Sequence, residues 1–411
     1  MEQISLLKNK RIVLGVTGSI ACYKVVDLAS KLTQAGALVD VIMTQSATRF
    51  VTPLSFRSVT GRPVYADMWS LEEHVRHVGL GETADLLVIA PATANTLAKL
   101  AQGIADNLLT VTALAARCPV LAAPAMDGGM YEHPATQANV STLRERGILL
   151  AGPAEGRMAS GLVGLGRMLE PADLLAEVRL ALAKSGPLAG RHVVITAGPT
   201  RESLDPVRFI SNWSTGKQGL AVAQAALDAG ARVTLICGPV SEPIPRGVKL
   251  VPVLSTQEMG DAVLPAVKES DALFMVAAVA DFRPDTRSDQ KIKKTKMDEW
   301  GQAIGLEVTL DILSAVKVQR EETGCPRVVL GFAAETQNAF DYGRQKLLRK
   351  GLNFIAVNDV TAEGAGFGTD TNKVLLLSSA GIVEVMPLQS KAHIAERLVH
   401  HVCKALGVRV S

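Results

Sequence analysis

The chain has 411 residues, 48% of them hydrophobic and 4% aromatic, with a formal net charge of +3. Such a length exceeds one ordinary core, so two domains are expected, and an Ala/Val/Leu-rich composition with few rings points to α/β architecture rather than a β-sandwich. Charges are scattered rather than gathered into a basic tract, and no apolar run reaches the roughly 18–20 residues of a membrane span, which argues against nucleic acid and membrane as partners.

The opening MEQISLLKNKR has the character of neither a signal nor a transit peptide. Cys22, Cys118, Cys237, Cys325 and Cys403 form no CxxC pair. Both features predict a cytoplasmic protein with reduced thiols. Arg11 to Met43 reads strand, Gly-rich turn, helix, Ala-Gly cap, strand, and further buried strands are predicted at 85–92 and 119–125. The small, helix-breaking stretch from Lys184 to Gly190 marks a boundary, dividing the chain into domains 1–186 and 187–411. Beyond it, His192 to Cys237 repeats the opening order with a longer connection, and strands are predicted at 272–280, 327–335 and 354–359. Continuous apolar strands alternating with amphipathic helices predict two Rossmann-like domains in tandem, each a parallel sheet covered by helices on both faces. Arg283 to Lys296 is charged and lysine-rich, either a solvated loop or a flap over an anionic substrate.

Ligands of open α/β sheets sit beyond the C-terminal strand ends. Gly18, Ser19 and Ile20 follow the first strand and open a helix, Thr44 and Ser46 follow the second, and Thr93 and Asn95 follow the third. TGSIACYK (Thr17 to Lys24), PATANT (Pro91 to Thr96) and PAMDGGMY (Pro124 to Tyr131) together resemble the homo-oligomeric flavin-containing cysteine decarboxylases. The resemblance implies a flavodoxin-like first domain holding FMN through Gly18, Ser19, Ile20, Thr44, Ser46, Thr93 and Asn95, with Asp127 and Met130 at the substrate. It further implies flavin-dependent oxidation of a C-terminal cysteine thiol to a thioaldehyde, whose carbon receives the electrons left by the departing carboxylate. His77 matches the family's catalytic histidine, an imidazole suited to proton removal; His74, three residues earlier, is the competing reading. Asp127 stands where the family commonly carries asparagine, and Ser160 where many relatives carry a cysteine that donates the final proton. These departures keep open a first half that stops at the enethiol, or one that only binds flavin and oligomerises.

In the second half, Ile195 to Lys217 (ITAGPTRESLDPVRFISNWSTGK) runs from a strand through small and hydroxyl residues into a helix start, an arrangement that suits phosphate. Arg201, Arg208 and Lys217 add positive charge. With AAVADFRP (Ala277 to Pro284), KIKK (Lys291 to Lys294), GFAAET (Gly331 to Thr336), KLLRK (Lys346 to Lys350) and GFGTDTNKV (Gly366 to Val374), the block resembles the phosphopantothenate–cysteine ligases. That resemblance implies activation of 4′-phosphopantothenate by CTP as an acyl-cytidylate, with Mg2+ accompanying the triphosphate, followed by attack of the cysteine amine. Asn212 is then the donor to the acyl oxygen, and Lys291 neutralises the triphosphate, with Lys293 and Lys294 as alternatives. Ala277, Asp281, Asp311, Phe332, Lys346 and Lys350 fall at the nucleotide; Arg208, Ser214, Gly216 and Gly219 fall at phosphopantothenate. The two halves together imply a bifunctional enzyme of coenzyme A biosynthesis. They also imply a homo-oligomer built on trimers, with a dodecamer of trimers linked by dimers as its fullest form. A nicotinamide dehydrogenase tandem is disfavoured, because no GxGxxG follows either opening strand.

Overall fold

A computed structural model of the protein describes residues 3–68, 76–158, 161–292, 304–335, 338–359, 364–366 and 368–409. The chain divides into two compact units, Met1–Lys184 and Ser185–Ser411. Among the described residues, no helix is long and apolar enough to cross a membrane.

The first unit runs β1 (Arg11–Val16), α1 (Cys22–Gln34), β2 (Leu38–Met43), α2 (Pro53–Thr60), β3 (Val64–Tyr65), α3 (Arg76–Thr83), β4 (Leu86–Ala92) and α4 (Ala94–Gln102). It continues with α5 (Leu108–Ala115), β5 (Val120–Pro124), α6 (Gly128–Glu132), α7 (Pro134–Glu145), β6 (Leu149–Leu150), β7 (Ala154–Arg157), β8 (Val163–Arg167) and α8 (Pro171–Ala183). Its main sheet has the order β3-β2-β1-β4-β5-β6 with every pairing parallel, the doubly wound arrangement expected. All of β4 is buried, as is all of β1 after Arg11, because helices cover both faces. On α1, Cys22, Val25, Leu28, Ala29 and Leu32 are buried, a stripe at helical spacing. α4 starts on the Thr93 hydroxyl, which accepts from the Thr96 amide, and ends at the left-handed Gly103. β7 and β8 form a separate antiparallel hairpin.

The second unit opens with β9 (His192–Ala197), β10 (Arg201–Ser203), β11 (Phe209–Ser211), α9 (Lys217–Asp228), β12 (Arg232–Cys237), β13 (Lys249–Pro252), α10 (Thr256–Val267) and β14 (Ala272–Met275). It closes with β15 (Phe282–Pro284), β16 (Leu306–Val308), α11 (Ile312–Thr323), β17 (Val328–Glu335), α12 (Ala339–Lys350), β18 (Phe354–Asp359), β19 (Thr371–Ser378), β20 (Gly381–Ser390) and α13 (Lys391–Ala405). Its main sheet is ordered β13-β12-β9-β14-β17-β18-β19-β20. The strands from β13 to β18 are parallel and repeat the order of the first unit; β19 and β20 then add an antiparallel edge.

The predicted strand at 272–280 stops at Met275. From there the chain leaves the ladder, and the amides of Val276 and Ala277 both donate to the Thr196 hydroxyl at 3.1 Å. An isolated parallel bridge, Pro199–Ala278, then keeps residues 276–281 beside the continuation of β9, where they line a cavity. Phe274, Leu14 and Ile89 are fully buried, each contributing about 1.5–3 kcal/mol of hydrophobic stabilisation.

Helix α9 lies close on β9 because residue 219 is glycine: a Cβ there would sit 2.6 Å from the Ala197 Cβ and 2.9 Å from its Cα. Gly219→Ala is therefore expected to lower stability by about 1–3 kcal/mol in denaturant unfolding. Gly79→Ala on α3, where an added Cβ meets nothing within 4 Å, should leave stability unchanged or raise it by up to about 1 kcal/mol. Equal losses at both positions would refute the close-packing account.

Candidate active sites

In the first unit, the strand ends and the β7–β8 hairpin surround a cavity of about 1040 Å³. Gly18, Ser19 and Ile20 line it from the β1–α1 turn, Thr44 and Ser46 from the end of β2, and Thr93 and Asn95 from the end of β4. Asp127 and Met130 line it from the start of α6. The Thr17 hydroxyl donates to the Pro91 carbonyl at 2.6 Å and accepts from the Thr93 amide at 3.2 Å, tying the ends of β1 and β4 together. Gly18 passes so near the β2 end that a Cβ would lie 2.5 Å from that of Ser46, so backbone forms this part of the wall. Asp127 is the N-cap of α6, its Oδ1 accepting from the Gly129 amide at 3.2 Å. Either Asp or Asn performs that task, which explains how the departure from asparagine is accommodated.

Four cationic residues on this wall had not been assigned a role: Lys24, Lys99, Arg157 and Arg167. Lys24 pairs with Glu170 at 2.7 Å, and Arg167 pairs with the same carboxylate, whose pKa is lowered chiefly by the hydrogen bond from Lys24. His77 falls on α3, with its side chain outside the described residues; His74, Ser160, Lys293 and Lys294 also lie outside them.

The second unit carries a cavity of about 710 Å³ at the corresponding end of its sheet. Asn212, Ser214, Gly216 and Gly219 form one wall; Ala277 and Asp281 approach from the segment after β14. Phe332 comes from β17, Asp311 from the start of α11, and Lys346 and Lys350 from α12. Asp311 caps α11 by accepting from the Ser314 amide at 3.1 Å.

The lysines here are partly or fully buried. Lys346 donates to the Phe332 carbonyl at 3.1 Å, and burial pulls its pKa down, opposed by the carboxylates of Glu335 and Asp281. Buried Lys350 donates to the Ser314 hydroxyl at 2.9 Å and pairs with Asp311; burial again lowers its pKa. Asn212 donates its Nδ2 hydrogens to the carbonyls of Ala278 (3.0 Å) and Val279 (3.2 Å), clasping the segment that bears Ala277 and Asp281.

Arg208 and Lys291 are not brought to the cavity wall. Arg208 is held by the buried Asp205 carboxylate, at 2.5 Å through one guanidinium nitrogen and 3.0 Å through Nε, and it also donates to the Ile292 carbonyl. Asp205 accepts from the Ile292 amide as well, at 3.2 Å, so this pair holds the backbone at Ile292. Arg201 stacks over the Phe209 ring, 4.6 Å from its centroid. Two further residues on the wall were missed. Lys391, at the start of α13, is buried, and its ammonium donates to the carbonyls of Gly366 (2.9 Å) and Thr369 (2.5 Å). Asn358, at the end of β18, is 8% exposed, and its Oδ1 has no hydrogen-bond partner among the described residues. An orphan buried acceptor on a cavity wall is a place for a ligand donor. Its only sequence signal is the polar pair that ends the FIAVND strand.

Two doubly wound units, one with a backbone-walled cavity and one with a lysine-lined cavity, define a tandem of α/β domains with a ligand-sized cavity at the strand ends of each. Residues 2–182 match the Flavoprotein family, and residues 188–406 match the DNA/pantothenate metabolism flavoprotein C-terminal domain. The chain is 46% identical over 402 residues to the coenzyme A biosynthesis bifunctional protein CoaBC of Bacillus subtilis (strain 168), covering 97% of each. It is 44% identical over 396 residues to the protein of that name from Vibrio cholerae, covering 96% of this chain and 98% of the relative. With the Mycobacterium tuberculosis (strain H37Rv) protein of the same name, identity is 45% over 401 residues and 95% of each chain. The chain belongs to the family of coenzyme A biosynthesis bifunctional proteins.

Because burial lowers the pKa of Lys346, anion affinity at the second cavity should fall as pH rises, beginning below the ordinary lysine value of about 10.4. The charged form, present below the folded-state pKa, is the one that attracts the ligand. In Lys346→Arg, whose guanidinium stays charged, the fall should be shallower when CTP is titrated calorimetrically from about pH 7 to 10. Identical pH slopes for the two proteins would assign the loss to another group.

Proposed function

We propose that the second unit joins 4′-phosphopantothenate to cysteine at the expense of CTP, and that the first unit decarboxylates the product to 4′-phosphopantetheine with FMN as its cofactor. The observation that carries this reading is convergence. Asn212, Ser214, Gly216, Gly219, Ala277, Asp281, Asp311, Phe332, Lys346 and Lys350 come from five separate segments to one cavity that also presents Lys217 and Lys391.

In the ligase step, a carboxylate oxygen of 4′-phosphopantothenate attacks the α-phosphorus of CTP and pyrophosphate departs. The lysine ammonium groups of the wall offset the charge of the triphosphate and of the leaving pyrophosphate. Mg2+ would accompany the triphosphate and offset its charge, with Asp281 as the wall carboxylate that would face it. The cysteine amine then attacks the acyl carbon and CMP leaves. Asn212 donates an N–H to the oxygen that becomes negative, giving up one of its two carbonyl bonds to do so.

The first cavity suits a flavin: it is large, apolar on much of its wall, and closed at Gly18 by backbone that a side chain would obstruct. Gly18, Ser19, Ile20, Thr44, Ser46, Thr93 and Asn95 would hold FMN, whose ring supplies two-electron oxidation and reduction when bound. His77 takes the proton released as the substrate thiol is oxidised. Arg157 offers a cation to the substrate carboxylate, and Met130 packs against the substrate chain, while Asp127 keeps the start of α6 in place. The active form is a cytoplasmic homo-oligomer built on trimers, to be checked by light scattering.

The test is incubation of the full chain, FMN-loaded, with 4′-phosphopantothenate, cysteine, CTP and Mg2+. Expected products are CMP, pyrophosphate, carbon dioxide and 4′-phosphopantetheine. A final product two hydrogens lighter would assign enethiol release to the first unit, consistent with serine at position 160. No cysteine-dependent CMP would overturn the ligase reading.

A further inference from the structure

Helix α9 begins at Lys217 after the left-handed Gly216 (φ 79°), with no side-chain cap on its first amides. Lys217 lines the cavity, yet its ammonium is already engaged. It donates to the Asp370 carboxylate at 2.7 Å and to the Gly368 carbonyl at 3.3 Å, and lies 3.6 Å from Glu242. Asp370 sits on the turn before β19, is 87% exposed at its side chain, and is not part of the cavity wall. The same turn is held independently: buried Lys391 grips the carbonyls of Gly366 and Thr369, and Asn372 donates to Gln218 of α9 at 3.3 Å. Losing the Lys217–Asp370 pair would thus leave the turn anchored. What the pair does do is place a negative charge on a cavity cation.

From this arrangement we infer that Asp370 holds the place of a ligand phosphate on Lys217, and so sets how strong an anion must be to occupy the cavity. This inference rests on the reading of the cavity as an anion site. On binding, the Lys217 ammonium passes from the carboxylate to a phosphate oxygen; no covalent bond changes, and Asp370 is released to water, where its exposure makes solvation easy. An exposed ion pair is a weak competitor, which suits a contact that has to exchange. Hydrogen bonding and charge attraction between the two groups keep Asp370 ionised and Lys217 protonated, so the competition operates at neutral pH. The phosphate belongs either to the nucleotide or to the phosphomonoester of the acid substrate, and the two are separable by experiment.

The experiment is calorimetric titration of the full chain, as wild type, Asp370→Asn and Asp370→Glu, with CTP, with 4′-phosphopantothenate and with cytidine. Asp370→Asn should bind at least one of the phosphate-bearing ligands about two- to fivefold more tightly, the size expected from removing an exposed competing pair. The ligand that gains is the one whose phosphate meets Lys217. Cytidine should show no gain, and Asp370→Glu should behave as wild type. Because damage to the turn would weaken binding, a gain is not explained by a structural role. Unchanged or weaker binding of both phosphates in Asp370→Asn overturns the inference, as would an equal gain for cytidine. Wild-type protein that binds neither phosphate overturns the cavity reading, and this inference with it.

Discussion

Strands buried on both faces constrain everything else in this molecule. β4 and β9 are buried throughout, and β1 is buried beyond Arg11, so groups that meet a ligand have to collect where the strands end and the chain turns into helices. Both cavities lie there. The consequence is sharpest after β14, where four residues of strand give way to a segment held by Thr196 and Asn212. That segment carries Ala277 and Asp281 to the wall, and its carbonyls occupy the very amide expected to serve the substrate. Construction and chemistry share the same hydrogen bonds.

The second cavity also shows how a protein holds several cations on one wall. Lysines there are not left bare: Lys346 and Lys391 rest on carbonyls, Lys350 on a hydroxyl and a carboxylate, and Lys217 on Asp370. Burying an ammonium is unfavourable unless something replaces its water. These partners replace it only partly, and burial lowers the pKa values of Lys346, Lys350 and Lys391. Such groups gain most from an incoming phosphate, because the local dielectric is low and reorganisation is small.

Much of the fold was legible because two-sided burial writes itself as unbroken apolar runs, and the echo between Arg11–Met43 and His192–Cys237 corresponds to the same strand order in both sheets. Gly18, Thr93 and Ser214 were legible for a related reason, since an apolar strand running through small and hydroxyl residues into a helix predicts a ligand edge. Asn212, which follows the short and partly exposed β11, was instead named through the family motif. The antiparallel edge of the second sheet was not. β20 is partly exposed along most of its length and lacks the continuous run that marks its neighbours. Charge partners were also invisible. Lys217 and Asp370 are 153 residues apart, and Arg208 reads as a free cation until Asp205 is seen folded against it. Lys391 has no local motif, and Asn358 reads as the end of a strand until its orphaned oxygen is found on the cavity wall.

The central claim is that the second unit's ligand occupies the C-terminal edge of its sheet. Hydrogen–deuterium exchange of the full chain with and without CTP tests it most directly. Slowed exchange at 212–220, 276–281, 309–313 and 346–350, the segments that meet at the cavity, is the result expected. Slowing confined to the opposite strand ends, around 190–193 and 268–272, would contradict the account.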